Sequence, residues 1–184
     1  PQDDVDKSRF RVLVVHHRSH ETARTLRTLQ ELGYELETFI GIPYGDVGWD
    51  RIVMLDHAAQ HHYVSLKMVH HPIEPTRYEF DFRQSSFLDT QTERVLVALF
   101  ADPAVGADYL TAMQALGEYR LAQALRKCRE QGQRLIIYED GGYIVTKVHE
   151  IYRNPAHQSH WLVKAAVDEG LIAGVVEVTV AGER

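Results

Sequence analysis

Apolar segments alternate with stretches of helical periodicity at the amino-terminal end of the chain. Residues 9–16 (RFRVLVVH) are rich in β-branched side chains and predict a buried strand. Residues 22–32 carry leucines at helical spacing, with Ser19 as the predicted N-cap and Gly33 as the predicted stop. A second strand at 36–40 completes a strand–helix–strand unit, for which we expect a right-handed parallel crossover.

The middle of the chain is less regular. Between about residues 45 and 131 the apolar pattern no longer follows the strand–helix alternation, and it predicts an inserted α+β segment. The elements predicted there are a helix at 49–62, an antiparallel pair formed by 63–69 and 76–82, and helices at 92–100 and 108–128.

The carboxyl-terminal part returns to alternating strands and helices. The predicted elements are a strand at 134–138, helices at 144–152 and 157–169, and a strand at 175–180. The fold predicted for the chain is α/β: a three-layer, mainly parallel Rossmann/flavodoxin-like sheet flanked by helices. We expect one domain over residues 1–184 that carries the insertion at about 45–131.

Composition narrows the class of protein. The chain has 184 residues, 45% of them hydrophobic and 25% charged, as in ordinary soluble proteins. A net charge of −6, with no run rich in Lys or Arg, argues against nucleic acid or an anionic membrane as a partner. The single cysteine excludes an internal disulfide and favours a reducing, cytoplasmic location. A start at Pro1 without Met suggests a piece of a longer chain.

The Asp-Gly-Gly turn, defined as residues 140–142, is the strongest candidate site. Two glycines directly after a strand let the backbone turn sharply and approach a ligand closely. The acid before them stands at the carboxyl end of a strand, where open α/β sheets bind their ligands. The alternative is an ordinary strand-to-helix turn in which Asp140 caps the helix at Ile144.

Three segments of the chain, taken in order, match the motifs of one known family. They read His17-Arg18-Ser19, Glu139-Asp140-Gly141-Gly142 with His149, and GVVEVTVAG at 174–182. Together they resemble the S-adenosylhomocysteine hydrolase (adenosylhomocysteinase) family. The first is similar to the His-Met-Thr segment of the family, the second to its Asp-Asp-Gly-Gly-Asp motif with a later histidine, and the third to its Gly-(Ile/Val)-Ser-Glu-Glu-Thr-Thr-Thr-Gly motif.

The resemblance implies a fold, a reaction and site residues. Members of the family bind S-adenosylhomocysteine between a substrate domain and a Rossmann domain that holds NAD. They oxidise the ribose 3′-hydroxyl, remove the C4′ proton, eliminate homocysteine, add water and reduce the ketone. By resemblance, His17 and Asp140 match catalytic acid/base residues, and Ser19, Glu177 and Thr179 match residues that bind substrate. A neutral histidine and a carboxylate in one crevice can indeed share proton transfers near pH 7.

The chain also departs from the family pattern. Val178 stands where the family has the glutamate that binds the substrate ribose, and Tyr143 replaces the last acid of the second motif. No Gly-x-Gly-x-x-Gly occurs, so NAD is expected only through a domain absent from this chain. We therefore expect the chain alone to be inactive, with a nucleoside-type small molecule as its ligand and a homo-oligomer as its assembly.

Other interpretations of the same residues stay open. The chain is alternatively a non-catalytic, divergent homologue that acts as a binding or protein-interaction module. His17 is alternatively a strand-end histidine bonded to the backbone, and Glu177 a solvated position on an alternating strand. His57 and His61, four residues apart on a predicted helix, suggest a metal-dependent enzyme as a third possibility, although no third ligand stands at a suitable spacing.

Overall fold

The structure is a computed structural model, and it describes residues 5–17, 19–42, 64–65, 67–70, 78–81, 89–106 and 108–178. The helix predicted at 49–62 lies outside these residues. Within the described residues, no helix is long and apolar enough to cross a membrane.

Two sheets are present among the described residues. The main sheet is parallel and has five strands in the order β3-β2-β1-β6-β7, and the strands β4 and β5 form a separate antiparallel pair. The strands are β1 (Phe10–His17), β2 (Glu35–Ile42), β3 (Val64–Ser65), β4 (Lys67–His70), β5 (Tyr78–Asp81), β6 (Arg134–Glu139) and β7 (Ile172–Glu177).

Six α-helices accompany these strands in the part of the chain that the structure describes, after a 3-10 turn at Lys7–Arg9. They are α1 (His20–Glu31), α2 (Thr90–Phe100), α3 (Pro103–Gly106), α4 (Tyr109–Gln131), α5 (Tyr143–Arg153) and α6 (His160–Asp168).

The helices cover both faces of the main sheet because successive side chains of a strand point to opposite faces. Val12 and Val14 of β1 pack with Leu26 of α1 on one face. Leu13 and Val15 belong to the larger core on the other face, where α2, α4, α5 and α6 pack. The three-layer α/β fold predicted from the sequence is therefore confirmed.

The two crossovers of the sheet diverge from its centre. From β1 the chain passes through α1 to β2 on one side, and from β6 it passes through α5 and α6 to β7 on the other. These crossovers lie on opposite faces of the sheet. Such a switch point opens a crevice at the carboxyl ends of the two central strands, where ligands of α/β proteins bind. Here those strands are β1 and β6.

Some predicted boundaries are wrong for identifiable reasons. The helix predicted at 157–169 begins only at His160, because Asn154 and Pro155 start a turn in which the Asn154 side chain accepts the backbone N–H of Ala156 at 3.2 Å. The segment predicted as one strand at 63–69 is divided, since β3 joins the parallel sheet and β4 pairs with β5. The helix α3 was not predicted. The last strand begins at Ile172, earlier than predicted, and ends at Glu177.

The helix α4 lies within the predicted insertion but packs directly on the main sheet. Leu116, Leu121 and Leu125 are fully buried in the same core as Leu13 of β1. Near the end of this helix, Lys127 and Gln131 contribute to a charged cluster with Arg11 of β1 and Glu37 of β2. This cluster lies at the end of the sheet opposite to the carboxyl ends of β1 and β6. The boundaries of an insertion at about 45–131 remain a prediction.

Candidate active site

The backbone of the Asp-Gly-Gly turn requires its glycines. Gly141 has φ +103° and Gly142 has φ +66°, both in the region that side-chain-bearing residues rarely adopt. A Cβ on Gly141 would lie 2.6 Å from Cε2 of Tyr143, so the ring of Tyr143 closes over the turn. The turn is thus held tightly against the first residue of α5.

Glu139, the last residue of β6, caps α5 from inside the protein. Its carboxylate is fully buried and accepts the backbone N–H groups of Ile144 at 2.8 Å and Val145 at 2.7 Å. Burial raises the pKa of Glu139, and these two backbone hydrogen bonds oppose the rise. The interpretation in which Asp140 caps the helix at Ile144 is therefore wrong, because the preceding acid occupies those donors.

Asp140 faces the end of β1 instead. Its backbone N–H donates to the carbonyl of Val15 at 2.8 Å, which fixes the residue beside β1. Its Oδ2 atom lies 3.3 Å from Nε2 of His17 and 4.0 Å from Nε2 of His16. The carboxylate side chain is 11% exposed and that of His17 is 40% exposed. The structure thus brings together His17 and Asp140, the two residues predicted to be catalytic.

The hydroxyl of Thr22 organises the end of β1. It donates to the backbone carbonyl of His17 at 2.7 Å, so its single proton is committed there. Nδ1 of His16 lies 2.9 Å from the same hydroxyl oxygen and must therefore donate its N–H to it. The hydroxyl of Ser19 lies 3.0 Å away and donates to the second lone pair. This arrangement satisfies the one donor and two acceptors of a threonine hydroxyl.

Ser19 is the N-cap of α1, as its position in the sequence predicts. Its side chain accepts the backbone N–H of Thr22 at 3.1 Å. Its predicted contact with substrate remains a prediction, and its hydroxyl already takes part in both the cap and the contact with Thr22.

His16 lies in a more buried position than His17, with 18% of its side chain exposed against 40%. Its ring stacks on Tyr138 with centroids 5.7 Å apart and an interplanar angle of 14°. Burial lowers the pKa of His16, and the negative charge of Asp140 opposes this effect only in part. The neutral ring therefore carries its proton on Nδ1 and has a lone pair on Nε2, the atom that faces Asp140.

Glu177 binds the turn from the neighbouring strand. Its Oε1 atom accepts the backbone N–H of Gly141 at 3.1 Å, and it stands opposite Glu139 in the β6–β7 register. Its charge contributes to the raised pKa of Glu139. The residue therefore lies at the predicted site but orders the turn rather than occupying a solvated position. Thr179 lies outside the described residues.

The electrostatics of the turn do not suit a phosphate. Backbone N–H groups at a turn and helix N-terminus are the donors that hold the pyrophosphate of dinucleotides. Here those of Ile144 and Val145 bind the carboxylate of Glu139, and that of Gly141 binds Glu177. Two carboxylates occupy these donors, so the turn does not fit the pyrophosphate of NAD.

The described residues contain no candidate metal centre. Among the described residues, no group of three or more His, Cys, Asp or Glu side chains is placed to hold a metal ion. His57 and His61 lie outside those residues. His149 is exposed on α5.

Sequence reasoning missed His16, Thr22 and Tyr138. A weak signal was present, since two consecutive histidines end the first strand and a threonine follows within the first turn of the next helix. Alternation along a strand predicts that neighbouring side chains point apart. It does not predict that both rings reach the same carboxylate where the strand ends.

No family model, no curated protein and no solved structure matches the chain. The chemistry available for identifying its ligand is therefore that of the crevice between β1 and β6. It consists of two imidazole rings, the carboxylate of Asp140 and the hydroxyl of Thr22 that orients one of the rings.

Proposed function

We propose that the crevice at the ends of β1 and β6 binds a phosphate-free, adenosine-type ligand, as an adenosylhomocysteinase-like substrate domain would. The observation that carries this proposal is the convergence of His17 and Asp140, 3.3 Å apart, at the switch point of the sheet. These are the residues to which the sequence resemblance assigns acid/base roles. Ser19 and Glu177, matched to substrate-binding residues, lie beside the same crevice.

The side chains support binding and proton transfer to a sugar hydroxyl. The carboxylate of Asp140 is a hydrogen-bond acceptor for a hydroxyl, and the partly exposed imidazole of His17 has ring nitrogens that can donate or accept a hydrogen bond. In the family, NAD supplies the redox chemistry. If a partner domain that holds NAD is present, the atoms of this chain that would hold and move protons are Oδ2 of Asp140 and Nε2 of His17.

A ligand without phosphate is favoured over a phosphorylated one. Glu139 and Glu177 bring two buried or half-buried carboxylates to the turn and engage the backbone donors that a phosphate would need. Like charges in a site of low polarity repel, so a phosphate near the turn would be disfavoured. Adenosine or S-adenosylhomocysteine therefore suits the crevice better than a nucleotide.

Turnover by this chain alone is not part of the proposal. Val178 is 44% exposed at the end of β7, where the family carries a glutamate on the substrate ribose. NAD would have to be held by another domain. The function proposed for the described domain is ligand binding, and reaction would require a partner domain in the full protein.

Calorimetric titration of the full chain with adenosine and S-adenosylhomocysteine, with and without NAD, tests the proposal. Asp140→Asn should weaken binding of adenosine at least about tenfold, equivalent to about 1.4 kcal/mol. Asp168→Asn is the matched control, because Asp168 is an exposed carboxylate on α6 and its substitution should leave binding unchanged. If neither nucleoside binds, or if Asp140→Asn binds as well as the native chain, the proposal is wrong.

A second candidate function, an interaction module, is favoured by the edge strand β7. Val175 and Val176 point to opposite faces of this strand, yet they are 41% and 45% exposed. Exposed apolar edge strands readily pair with another chain. Self-association through β7 would give the expected homo-oligomer. Light scattering should then report a larger mass for the native chain than for Val176→Lys, whereas equal masses would contradict this role.

A further inference from the structure

We propose that His16 is a second ligand-binding acceptor of the crevice, and that it acts with Asp140 to recognise two adjacent hydroxyls of the ligand's sugar. This inference rests on the proposed function, since it assumes a nucleoside in the crevice. It assigns a role to a residue that has no counterpart in the sequence resemblance.

The hydrogen bonds around Thr22 fix the tautomer of His16. Thr22 gives its only proton to the carbonyl of His17 at 2.7 Å, so its oxygen accepts from Nδ1 of His16 at 2.9 Å. A neutral imidazole with its proton on Nδ1 has an unprotonated Nε2. This nitrogen can accept a hydrogen bond but cannot donate one.

Nε2 of His16 faces the carboxylate of Asp140 without contacting it directly. It lies 4.0 Å from Oδ2 of Asp140, beyond direct hydrogen-bonding distance. Oδ2 of Asp140 also faces Nε2 of His17 at 3.3 Å, but a carboxylate oxygen can accept more than one hydrogen bond. Donors placed between the two atoms would therefore satisfy Nε2 of His16 and a further lone pair of Asp140. Hydroxyls on neighbouring carbons, as in ribose, supply two donors a short distance apart, one for each acceptor.

Contacts with Tyr138 and Thr22 fix the orientation of the His16 ring. Tyr138 stacks on one face of the imidazole, and α1 contributes the hydroxyl of Thr22. The titratable groups that act on His16 are Asp140 and His17 beside it and Glu21 on α1. The side chain is 18% exposed, so part of it is accessible to a ligand.

Long-range ¹H–¹⁵N NMR of the histidine rings tests the tautomer. In the native chain near pH 7.5 we expect Nδ1 of His16 to be protonated and Nε2 to be bare. Thr22→Val keeps the buried volume but removes the acceptor, so the spectrum should change to a mixture of tautomers. A protonated Nε2 in the native chain, or an unchanged spectrum in Thr22→Val, would overturn the inference.

Titration with adenosine, 2′-deoxyadenosine and 3′-deoxyadenosine tests the contact with the sugar. The native chain should bind each deoxynucleoside at least about tenfold more weakly than adenosine, because one buried acceptor is left unpaired. His16→Phe, which can still stack on Tyr138, should lose discrimination against one of the two and keep it against the other. His149→Phe, a change on the exposed face of α5, should keep both.

The outcomes separate this inference from the proposed function. If the native chain does not bind adenosine, the proposed function fails and the sugar contact fails with it. If the native chain binds adenosine and His16→Phe keeps both discriminations, the proposed function stands and only the role of His16 is overturned.

Discussion

The carboxylate of Glu139 accepts the backbone N–H of Val145 at 2.7 Å, across the whole Asp-Gly-Gly turn. A second hydrogen bond from Ile144 completes the cap of α5. Because Glu139 satisfies these donors, Asp140 is directed toward the histidines at the end of β1. The two consecutive acids therefore have different roles: Glu139 caps α5, and Asp140 faces the crevice.

Replacing Glu139 by alanine should destabilise the protein strongly. The change leaves two backbone N–H groups at the start of α5 without their acceptor, at a cost of about 1–3 kcal/mol for each buried group. Glu139→Gln keeps one acceptor and should lie between alanine and the native chain. Chemical denaturation measures the free energies of unfolding. Glu150→Ala, which removes an exposed carboxylate from the same helix, should change stability by less than about 1 kcal/mol.

The two glycines of the turn should respond differently to alanine. Both positions carry positive φ, so each substitution introduces backbone strain of about 1–3 kcal/mol. At Gly141 the new Cβ would also lie 2.6 Å from the ring of Tyr143, whereas at Gly142 the nearest atom is 3.6 Å away. We therefore expect Gly141→Ala to be the more destabilising change in thermal or chemical unfolding. Equal losses would show that the ring of Tyr143 moves aside without cost.

Features of the fold that depend on local sequence patterns are predicted well. The strands β1 and β6 were predicted to within two residues at each end, because buried parallel strands are short β-branched runs. The predicted stop at Gly33 is confirmed by its φ of +89°. These features are local, so a single sequence determines them.

The details of the site depend on contacts between distant segments. Sequence alone does not tell which of Glu139 and Asp140 turns toward the helix, since both stand at the end of the same strand. It also does not tell that Thr22 orients His16, because that contact arises only when α1 folds back over β1. Pattern reasoning located the crevice but not the hydrogen bonds within it.

The charged cluster at the other end of the sheet should contribute to stability without affecting the crevice. Arg11 is 5% exposed and binds Glu37, which is 4% exposed, and Lys127 also reaches Glu37. Arg11→Met removes one partner of a buried ion pair and should cost about 3 kcal/mol or more.

Arg129→Met provides the surface comparison for this cluster. Arg129 pairs with Glu169, and both side chains are about half exposed, so its loss should cost no more than about 1 kcal/mol. Neither change should alter adenosine binding measured by calorimetry, since both residues lie away from the carboxyl ends of β1 and β6. A loss of binding in Arg11→Met at a temperature where the variant is folded would contradict this separation.

The histidine at the end of β1 should make stability depend on pH. Burial holds the pKa of His16 in the folded chain below its ordinary value of 6.5. Between that lowered pKa and 6.5 the unfolded chain binds more protons than the folded chain, so stability falls as the pH falls through this window. His16→Phe removes the group, and the stability advantage of the native chain over this variant should shrink on acidification from pH 7.5 to 5.

Urea denaturation of both proteins at several pH values measures this difference, whose slope cannot exceed about 1.4 kcal/mol per pH unit for one proton. Leu26→Ala removes packing from the same face of the sheet but no titratable group, so its stability difference from the native chain should stay constant with pH. A constant difference for His16→Phe as well would mean that folding does not change the protonation of His16. In that case the burial of the ring would not lower its pKa, contrary to the expectation.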